Sequence, residues 1–529
     1  MGEPYLKSKW TSFAVVLLTC SLIAGCSSSN TEADHIDSYE EESFTRSSTT
    51  PTPGAEQFFS QKFNSHPKRP AVNITIENDA SGTTLSDDNI GLSFEAVELT
   101  DPRWDPDFGN LDETLQRLGS PGLRFGGNSL DRQVFWSSTG EEAPQGKTLI
   151  TPEDFKKVMK TVQLLDAKVT IGIPLGDFAP ERGADMAKHA SKIFGDNLIG
   201  ISIGNEPNGY TAQHRPGLQI RKSDDWGTAE YVKQVEAYAE EIRAVVGNET
   251  PLIGPGVFDG SWMTAFLDAE IPNTAALTQH YYATYDCTAT DVPSRGPEWQ
   301  NLLDPIVENS SKKMLGIGLS KAQAENLPLW VEETGSTSCP GTNNTSKTHA
   351  TALWTVEQIL SAAQQGVERM NMHSMLGACR GGAPMSPICS ETGDGLGGTG
   401  EILAQPNYMA MQLASISVGG EFLRVAMSGD KDVHAYAVKT SEGRILVTIV
   451  NQNDAAKYSS SPVTIEIPDG YARVRAAQIS APENASRSRT KFTGLLPVEK
   501  SDGSLSVSQK GLLGIELLAS SATVLEFEK

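Results

Sequence analysis

Two glutamates follow short apolar segments, at positions where their carboxyl groups could act as a pair. Glu206 lies in ISIGNEPNGY and Glu333 in LPLWVEETGS. One protonated and one ionised carboxyl group can cleave a glycosidic bond, because the acid protonates the leaving oxygen while the carboxylate attacks the anomeric carbon. Asn205, directly before Glu206, could hydrogen-bond a sugar 2-hydroxyl, an interaction that strengthens in the transition state. The alternative is an exposed surface glutamate at each position, which the NEP context of Glu206 disfavours.

The elements that must position these glutamates alternate between strand and helix. Eight short segments rich in apolar or β-branched residues, among them KVTIGIP and LIGISIGNE, are separated by amphipathic stretches such as TPEDFKKVMKTVQLLD. This alternation predicts an α/β fold, a (β/α)8 TIM barrel over residues 88–417, with an open doubly wound sheet as the alternative. Glu206 and Glu333 would end the fourth and seventh strands, at the face where barrel active sites lie. Because side chains alternate along a strand, only one of Glu332 and Glu333 is expected to point into the barrel mouth.

After residue 417 the pattern changes to short alternating strands separated by turn residues. Segments such as VHAYAVK, RILVTIVN and ATVLEFE have no long helical stretch between them. They predict a C-terminal β-sandwich over residues 418–529. The early segment AVNITIEN has the same character, so residues 69–87 are expected to add an N-terminal strand to that sandwich.

The first residues of the chain have the pattern of a secretory signal. Lys7 and Lys9 precede the apolar run FAVVLLTCSLIAG, which is too short to span a bilayer. The run ends before Cys26 and a Ser-rich tract, and this resembles a bacterial lipobox, in which the cysteine is lipidated after cleavage. We therefore expect residues 1–25 to be a lipoprotein signal peptide; an ordinary signal peptide with a chance cysteine is the alternative. Residues 26–68, rich in Ser, Thr, Pro and acidic residues, are expected to be a disordered linker.

Four cysteines remain beyond the signal peptide and the lipidation site. Four cysteines allow three pairings, which sequence alone does not distinguish. Cys379 and Cys389 bracket a Gly-rich loop, so we favour that pair, with Cys287–Cys339 as the second disulfide. Four unpaired thiols are the alternative. A metal site is not expected, because the sequence has no CxxC or HxxxH spacing.

The composition narrows the choice of partners. The 529 residues carry a formal net charge of −23. Nucleic-acid-binding proteins present basic surfaces, so this charge argues against a nucleic-acid partner. Hydrophobic residues make up 38% and charged residues 21% of the chain, which is typical of a globular protein.

Several segments around the two glutamates resemble glycoside hydrolase family 79, the family of β-glucuronidases and heparanases. The resemblance runs from about residue 88 to 410, and it is carried by SFEAVELTDPRW, LRFGGNSLD, ISIGNEPNGY, QHYY, VEETGS and QPNY. It implies a retaining mechanism with Glu206 as the acid/base and Glu333 as the nucleophile.

The resemblance also implies which residues bind the sugar. Glu95 takes the strand-one position that contacts the hydroxyls furthest from the scissile bond, and Asn128 should line the same pocket. Tyr282 would hydrogen-bond the nucleophile, and Tyr408 would help to receive the glucuronate carboxylate. Each has a structural alternative: a salt-bridged acid for Glu95, a turn cap for Asn128 and packing aromatics for both tyrosines.

Two further residues bear on this resemblance. His280 lies two positions before Tyr282 on the same strand face, and it is expected to support the site rather than to catalyse. The loop after the nucleophile, TGSTSCPGTNN, contains Pro340, which has no backbone N–H to donate to a carboxylate. In the family that the sequence resembles, the loop after the nucleophile presents backbone N–H groups to the substrate carboxylate. The proline at position 340 departs from that pattern.

Together these features predict an exported bacterial membrane lipoprotein that removes terminal β-linked glucuronic acid, or its 4-O-methyl form, from glycans or glucuronides. A glucuronic-acid-bearing carbohydrate is the expected partner, the membrane is reached only through Cys26, and no cofactor or metal is implied. The charge balance, with one modest basic loop at residues 214–222, argues against a heparin-like polyanion. The alternatives are another barrel glycosidase of the same clan (a heparanase-like endo-glucuronidase, a xylosidase or an arabinofuranosidase) and a non-catalytic glycan-binding lipoprotein.

Overall fold

The computed structural model of the protein describes most of the chain from residue 57 onward. The predicted signal peptide and Cys26 lie outside the described residues, as do Cys379, Pro340 and part of the 214–222 loop. The described residues are 57–212, 219–247, 250–289, 295–339, 343–377, 386–390, 401–468, 470–471, 473–498, 505–507 and 511–529.

After strand β1 (Val72–Thr84), which belongs to the C-terminal sheet, the chain builds a closed barrel of eight parallel strands. The barrel strands are β2 (Gly91–Glu95), β3 (Leu123–Gly126), β6 (Val169–Ile173), β7 (Leu198–Ile203), β8 (Leu252–Val257), β9 (Thr274–Thr284), β10 (Leu329–Thr337) and β11 (Arg369–Ser374). Their hydrogen-bonded order is β10-β11-β2-β3-β6-β7-β8-β9. Every residue of β6 is buried, as expected of a strand covered on both faces. The predicted (β/α)8 barrel is confirmed.

Two short strand pairs accompany the barrel. They are β4 (Val134–Trp136) with β5 (Thr148–Ile150), and β12 (Ile388–Ser390) with β13 (Ile402–Ala404). The first pair follows β3 in the chain and the second follows β11. Both therefore extend loops at the carboxyl ends of barrel strands.

Helices follow the barrel strands and cover them. They are α1 (Leu111–Gln116), α2 (Ser129–Gln133), α3 (Pro152–Leu165), α4 (Pro180–Phe194), α5 (Thr228–Val246), α6 (Gly260–Asp268), α7 (Trp299–Leu302), α8 (Pro305–Ala324), α9 (Asn343–Ser346), α10 (His349–Gln365) and α11 (Pro406–Ser415). In α3, Thr151 and Asp154 form a capping box around Pro152 at the first turn, and Phe155 and Val158 turn inward. Within the described part of the chain, no helix is long and apolar enough to cross a membrane.

The C-terminal region is a sheet of ten strands that takes in β1. Its other strands are β14 (Glu421–Ser428), β15 (Val433–Lys439), β16 (Ile445–Asn451), β17 (Ser460–Glu466), β18 (Arg473–Ser480), β19 (Lys491–Pro497), β20 (Leu505–Val507), β21 (Leu512–Leu518) and β22 (Ser521–Glu528). Strand β1 pairs antiparallel with β14 and parallel with β17, so the predicted N-terminal strand joins this region. Buried residues from most of the strands meet in one core, the arrangement of a β-sandwich.

The end of the predicted linker differs from expectation. Phe59 is buried, and its N–H donates to the carbonyl of Pro497 at 2.9 Å. Asn64 donates to the carbonyl of Ala455, also at 2.9 Å. Residues from about 59 to 68 therefore lie along the sheet, and the boundary of 68 placed the end of the linker too late.

One disulfide joins two loops on the carboxyl side of the barrel. Cys287 follows β9 and is bonded to Cys339, which follows β10. Cys389 is also in a disulfide, whereas Cys379, the partner favoured from the sequence, lies outside the described residues.

The contribution of β1 to the stability of the fold can be tested at Ile74. It is 1% exposed in the sandwich core, so Ile74→Ala should lower the free energy of unfolding by about 2–5 kcal/mol, through lost apolar contact and a cavity. Asn73 precedes it on the exposed face of β1, and Asn73→Ala should change that energy by no more than about 0.5 kcal/mol. Denaturant unfolding of the full chain measures both. Equal, small effects would mean that β1 is only loosely attached.

Candidate active site

Glu206 and Glu333 lie together at the carboxyl end of the barrel. Glu206 lies just after the end of strand β7, and Glu333 lies within β10. The two residues are 3% and 2% exposed, respectively. One carboxylate oxygen of Glu206 lies within 4.8 Å of one from Glu333. Two strands, β8 and β9, separate their strands in the barrel order, so the closed curvature brings the two side chains face to face.

The backbone of Glu206 is unusual for a residue other than glycine. Its φ is 47° and its ψ 57°, in the left-handed region that non-glycine residues seldom adopt. Its N–H donates to the carbonyl of Gly256 in β8 at 3.1 Å. This hydrogen bond lies beyond the residues through which β7 and β8 pair. Strained backbone of this kind clusters at functional sites, because the surrounding structure must hold it.

A bulge in β10 turns two consecutive glutamates into the barrel. Val331 pairs with Gln279 of β9 and Glu333 with the next residue, His280, so β10 carries one extra residue there. As a result, Arg124 lies 3.8 Å from Glu332 and 2.8 Å from Glu333. Both side chains therefore turn into the barrel, because a bulge breaks the two-residue period by which a regular strand would turn only one of them that way.

Glu332 and Glu333 nevertheless have different surroundings. Glu332 accepts hydrogen bonds from Thr170 (2.5 Å), Arg369 (3.1 Å) and Asn371 (3.1 Å), all within the barrel. Both oxygens of Glu332 are therefore engaged in the barrel interior. Glu333 is the member of the pair that approaches Glu206.

Three polar side chains surround the carboxylate of Glu333. Tyr282 donates its hydroxyl to one oxygen at 2.7 Å, Arg124 donates to the other at 2.8 Å, and Nδ1 of His373 lies 3.3 Å from the first oxygen. Burial alone would raise the pKa of Glu333, but the charges of His280, His373 and Arg124 outweigh it and hold that pKa well below its usual range. Glu333 is therefore ionised at neutral pH, as a nucleophile must be.

His280 lies between the two carboxylates. Its Nδ1 is 3.0 Å from Glu206 and 4.0 Å from Glu333, and the ring is buried. Among the described residues, its Nε2 has no hydrogen-bond partner. These contacts suit the supporting role expected from the sequence, because the ring orients the carboxyl group of Glu206 directly.

Asn205 is held from two sides. Its N–H donates to Asp131 at 2.8 Å, and its side-chain oxygen accepts from Arg124 at 2.7 Å. Its side-chain nitrogen is buried and has no partner within the described residues. The other two contacts fix the direction of the side-chain NH2 group of Asn205, which can therefore donate to a bound hydroxyl.

Glu95 lies at the end of β2, where it closes one side of the site. It accepts the N–H groups of Asn128 (3.2 Å) and Ser129 (2.7 Å). The carboxyl group lies over Gly127, where φ is 71° and a Cβ would lie 2.5 Å from the carboxyl carbon, so only glycine fits. His373 links this residue to Glu333, since its Nε2 is 3.8 Å from Glu95 and its Nδ1 is 3.3 Å from Glu333.

Asn128 and Tyr408 differ in how they relate to the site. Asn128 is half-buried beside Glu95, and its side chain does not cap α2; its oxygen accepts from Arg132 at 3.4 Å. Tyr408 is fully buried in α11, and its hydroxyl donates to the carbonyl of Thr114 in α1 at 2.6 Å. Tyr408 thus packs between α11 and α1, and its role towards a glucuronate carboxylate stays a prediction.

Two residues of the site, Arg124 and His373, were not predicted from the sequence. Both lie in buried strands, at inward positions near the carboxyl ends, and both contact Glu333. The sequence signals that could have indicated them were an arginine inside LRFGG and a histidine near the end of RMNMHS. A charged residue in a buried strand is energetically costly without a partner, so each implies a partner inside the barrel.

The same residues bear on whether the site could hold a metal ion. Glu206, His280 and Glu333 each offer one ligand atom, and these atoms lie within 4.8 Å of one another. However, Arg124 donates to Glu333 at 2.8 Å, and its fixed positive charge opposes a cation there. The arrangement is better suited to proton transfer and nucleophilic attack.

Comparison with known proteins agrees with this chemistry. Residues 179–371, which include Glu206 and Glu333, match the cellulase family, glycosyl hydrolase family 5. The chain is 23% identical over 390 residues to baicalin-β-D-glucuronidase of Scutellaria baicalensis, an alignment that covers 72% of this chain and 63% of that protein. The chain thus spans less than two thirds of that relative's length.

Two solved structures have a similar fold. A 4-O-α-L-rhamnosyl-β-D-glucuronidase from Fusarium oxysporum matches with a TM-score of 0.64 and 19% identity, over 85% of this chain and 99% of that one. A GH51 arabinofuranosidase from Xanthomonas axonopodis pv. citri matches with a TM-score of 0.61 and 16% identity, over 87% of this chain and 100% of that one. Together with the family match, they show a barrel of the glycoside hydrolase type with an attached sheet region.

Arg124 should control the low-pH limb of glycoside hydrolysis, which reports the carboxylate that must be ionised. Arg124→Met removes a positive charge from Glu333, so the pKa of Glu333 should rise and the limb should move up by roughly 1–3 pH units. Arg124→Lys keeps the charge and should move the limb less. Arg424→Met makes the same change on an exposed position of β14 and should leave the limb in place. An unmoved limb in Arg124→Met would separate Arg124 from the ionisation of Glu333.

Proposed function

We propose that the protein is a retaining, exo-acting β-glucuronidase of glycoside hydrolase family 79 type. Its substrate would be a terminal β-linked glucuronic acid, or the 4-O-methyl form, on a glycan or another aglycone. The observation that carries the proposal is the pair of buried carboxylates with oxygens within 4.8 Å. Retaining glycosidases need carboxyl groups about 5–5.5 Å apart, whereas inverting enzymes leave room for a water at about 6.5–9.5 Å.

In the first step, a carboxylate oxygen of Glu333 attacks the anomeric carbon. A bond forms between these two atoms while the bond from the anomeric carbon to the glycosidic oxygen breaks. Glu206 donates its proton to that oxygen, and the aglycone leaves as a neutral alcohol. The negative charge of Glu333 is lost in the new ester bond, so nothing opposes the negative charge that Glu206 acquires when it gives up its proton.

In the second step, Glu206 acts as the base. It takes a proton from a water molecule, whose oxygen attacks the anomeric carbon and displaces Glu333. Two inversions restore the original β configuration. Glu206 is again protonated and Glu333 again ionised, so the enzyme returns to its starting state.

The other contacts fit roles in these two steps. Asn205 presents an oriented side-chain N–H group beside Glu206, where a 2-hydroxyl would lie. Tyr282 and Arg124 hold the Glu333 carboxylate in one orientation. Glu95, fixed by two backbone N–H groups, would accept hydrogen bonds from hydroxyls at the far end of the sugar.

Glucuronic acid is favoured over other sugars by two independent similarities. The segments FEAVELTDPRW and LRFGGNS resemble family 79, and the curated relative acts on a β-D-glucuronide. The second candidate is an arabinofuranosidase of the same clan, because GH51 structures match nearly as well as the glucuronidase structure does.

The substrate is tested with 4-nitrophenyl β-glucuronide beside the xyloside and the arabinofuranoside. The glucuronide should be the preferred substrate, and Glu333→Gln should lose its hydrolysis by several orders of magnitude, because no ester intermediate can form. Glu368→Gln, the same change at an exposed position before β11, should retain it. Faster cleavage of the arabinofuranoside would favour the second candidate, and no hydrolysis of any of the three would favour a glycan-binding protein.

Glu206 is tested through the leaving group. Glu206→Ala should slow glucuronides with poorly acidic phenols far more than those with strongly acidic phenols, because the latter need little protonation. The high-pH limb of kcat/KM, which reports the acid, should also disappear. The measurement is kcat/KM across a series of aryl glucuronides. Equal losses across the series would assign the acid role to another residue.

We also propose that the protein is exported and anchored through lipid on Cys26. The mature full-length protein should partition into detergent, since acyl chains on one cysteine can hold a protein at a membrane. Cys26→Ser should move it to the aqueous phase, and Cys287→Ser, which leaves the lipobox intact, should not. Recovery of the unaltered protein in the aqueous phase would contradict the lipid anchor.

A further inference from the structure

The turn that carries Glu206 is held by three consecutive backbone N–H groups. Those of residues 204, 205 and 206 donate at 2.9, 2.8 and 3.1 Å, respectively. Their acceptors lie on three different elements: the carbonyl of Ile173 at the end of β6, a side-chain oxygen of Asp131 in α2, and the carbonyl of Gly256 in β8. Asp131 is the only side chain among these three anchors, so it is the anchor that a substitution can remove.

The turn needs such anchors because its backbone is unusual. Gly204 has a φ of 78° and Glu206 a φ of 47°, so both lie in the left-handed region. A residue other than glycine costs about 1–3 kcal/mol in that region, and it stays there only where the surroundings hold it. This conformation sets the direction of the Glu206 carboxyl group, which lies 3.0 Å from Nδ1 of His280. Loss of one anchor should therefore let the turn relax and should displace that carboxyl group.

The barrel places Asp131 where it can reach this turn. Asp131 lies in α2, which follows β3, and it is 2% exposed. Its Oδ2 accepts the N–H of Asn205, and its Oδ1 accepts the N–H groups of Leu175 (2.7 Å) and Gly176 (3.0 Å) in the loop after β6. The carboxyl group of Asp131 thus joins the segments that follow β3, β6 and β7, which are adjacent strands of the barrel.

A carboxylate suits this position better than a neutral side chain of the same shape. An ionised carboxylate only accepts hydrogen bonds, so its two oxygens can take all three N–H groups. An amide would offer one oxygen, and its NH2 group would face at least one of the N–H groups. Burial raises the pKa of Asp131 and opposes its charge, and the hydrogen-bond donors around it act in the other direction. The three N–H groups therefore offset part of the cost of burying an acidic group.

We propose that Asp131 is a positioning residue for the acid/base, an inference that rests on the proposed function. Its carboxyl group fixes the backbone of Asn205 and, through the next peptide bond, the direction of the Glu206 carboxyl group. Asp131 acts through the turn, whereas Glu333 lies on β10 and has its own partners. Replacement of Asp131 should therefore impair protonation of the leaving group more than nucleophilic attack.

The test compares two substrates that differ in their need for an acid. Phenyl β-glucuronide has a poorly acidic leaving group, whereas 2,4-dinitrophenol leaves with little protonation. Asp131→Asn should raise the ratio of kcat/KM on the dinitrophenyl glucuronide to kcat/KM on the phenyl glucuronide about tenfold or more. The reason is that displacement of a catalytic group by about 1 Å can cost about 100-fold, and this loss falls mainly on the substrate that needs the acid.

Asp430→Asn is the matched control for the loss of a buried aspartate. Asp430 is 8% exposed in the C-terminal region, where it pairs with Arg69 and accepts from Asn453 at 2.9 Å. This control should leave the ratio unchanged even where it lowers the free energy of unfolding. Asp131→Glu keeps the carboxyl group on a longer side chain, so it should raise the ratio too, and it replaces Asp131→Asn if that variant does not fold. Equal losses on both substrates would make Asp131 a residue of the fold alone and overturn the inference.

A crystal structure of Asp131→Asn separates this inference from the proposed function, because it requires no activity. The φ of Glu206 should leave its value of 47°, or the 3.0 Å contact between its carboxyl group and His280 should lengthen. If the unaltered protein hydrolyses no glucuronide, the proposed function fails, and this structure alone decides the role of Asp131. An unchanged turn with an unchanged contact would overturn that role.

Discussion

The site depends on two buried carboxylates whose oxygens lie within 4.8 Å of each other, one of which, Glu333, is held ionised. Two carboxylates at that distance cannot both be charged without compensation, because their repulsion in a poorly solvated pocket is large. Arg124 provides a fixed positive charge to Glu333, with His373 and His280 beside it. Glu206 lies against the imidazole of His280, at 3.0 Å. The positive charges around Glu333 support the proposal that it is the nucleophile.

The barrel interior is built to hold this asymmetry. The bulge in β10 turns Glu332 into the barrel beside Glu333, and Glu332 accepts from Arg369 on the neighbouring strand β11 and from Thr170 on β6. A buried arginine without a partner would be strongly destabilising, so Arg124 and Arg369 each need these carboxylates. The result is a chain of paired charges across the barrel, which fixes the height and direction of Glu333 without burying an uncompensated group.

Much of this arrangement could be predicted from the sequence, because it depends on patterns that are local in the chain. Apolar strands alternating with amphipathic helices indicate the barrel, and Glu206 and Glu333 each follow an apolar segment of such a strand. The bulge could not be predicted, since it depends on how β10 pairs with β9 and β11. Tyr408 was assigned from a short motif, whereas its direction is set by packing between α11 and α1. The contacts of Arg124 with Asn205 and Glu333 span distant parts of the chain, which no local pattern reveals.

The most direct test of the charge asymmetry is the anomeric configuration of the first product. Proton NMR recorded during the first minutes of hydrolysis of 4-nitrophenyl β-glucuronide distinguishes β- from α-glucuronic acid before the two interconvert. A nucleophilic Glu333 within 4.8 Å of a carboxyl oxygen of Glu206 leaves no room for direct attack by water, so the β anomer should appear first and the α anomer later by mutarotation. Initial release of the α anomer would contradict the double displacement and with it the role assigned to Glu333.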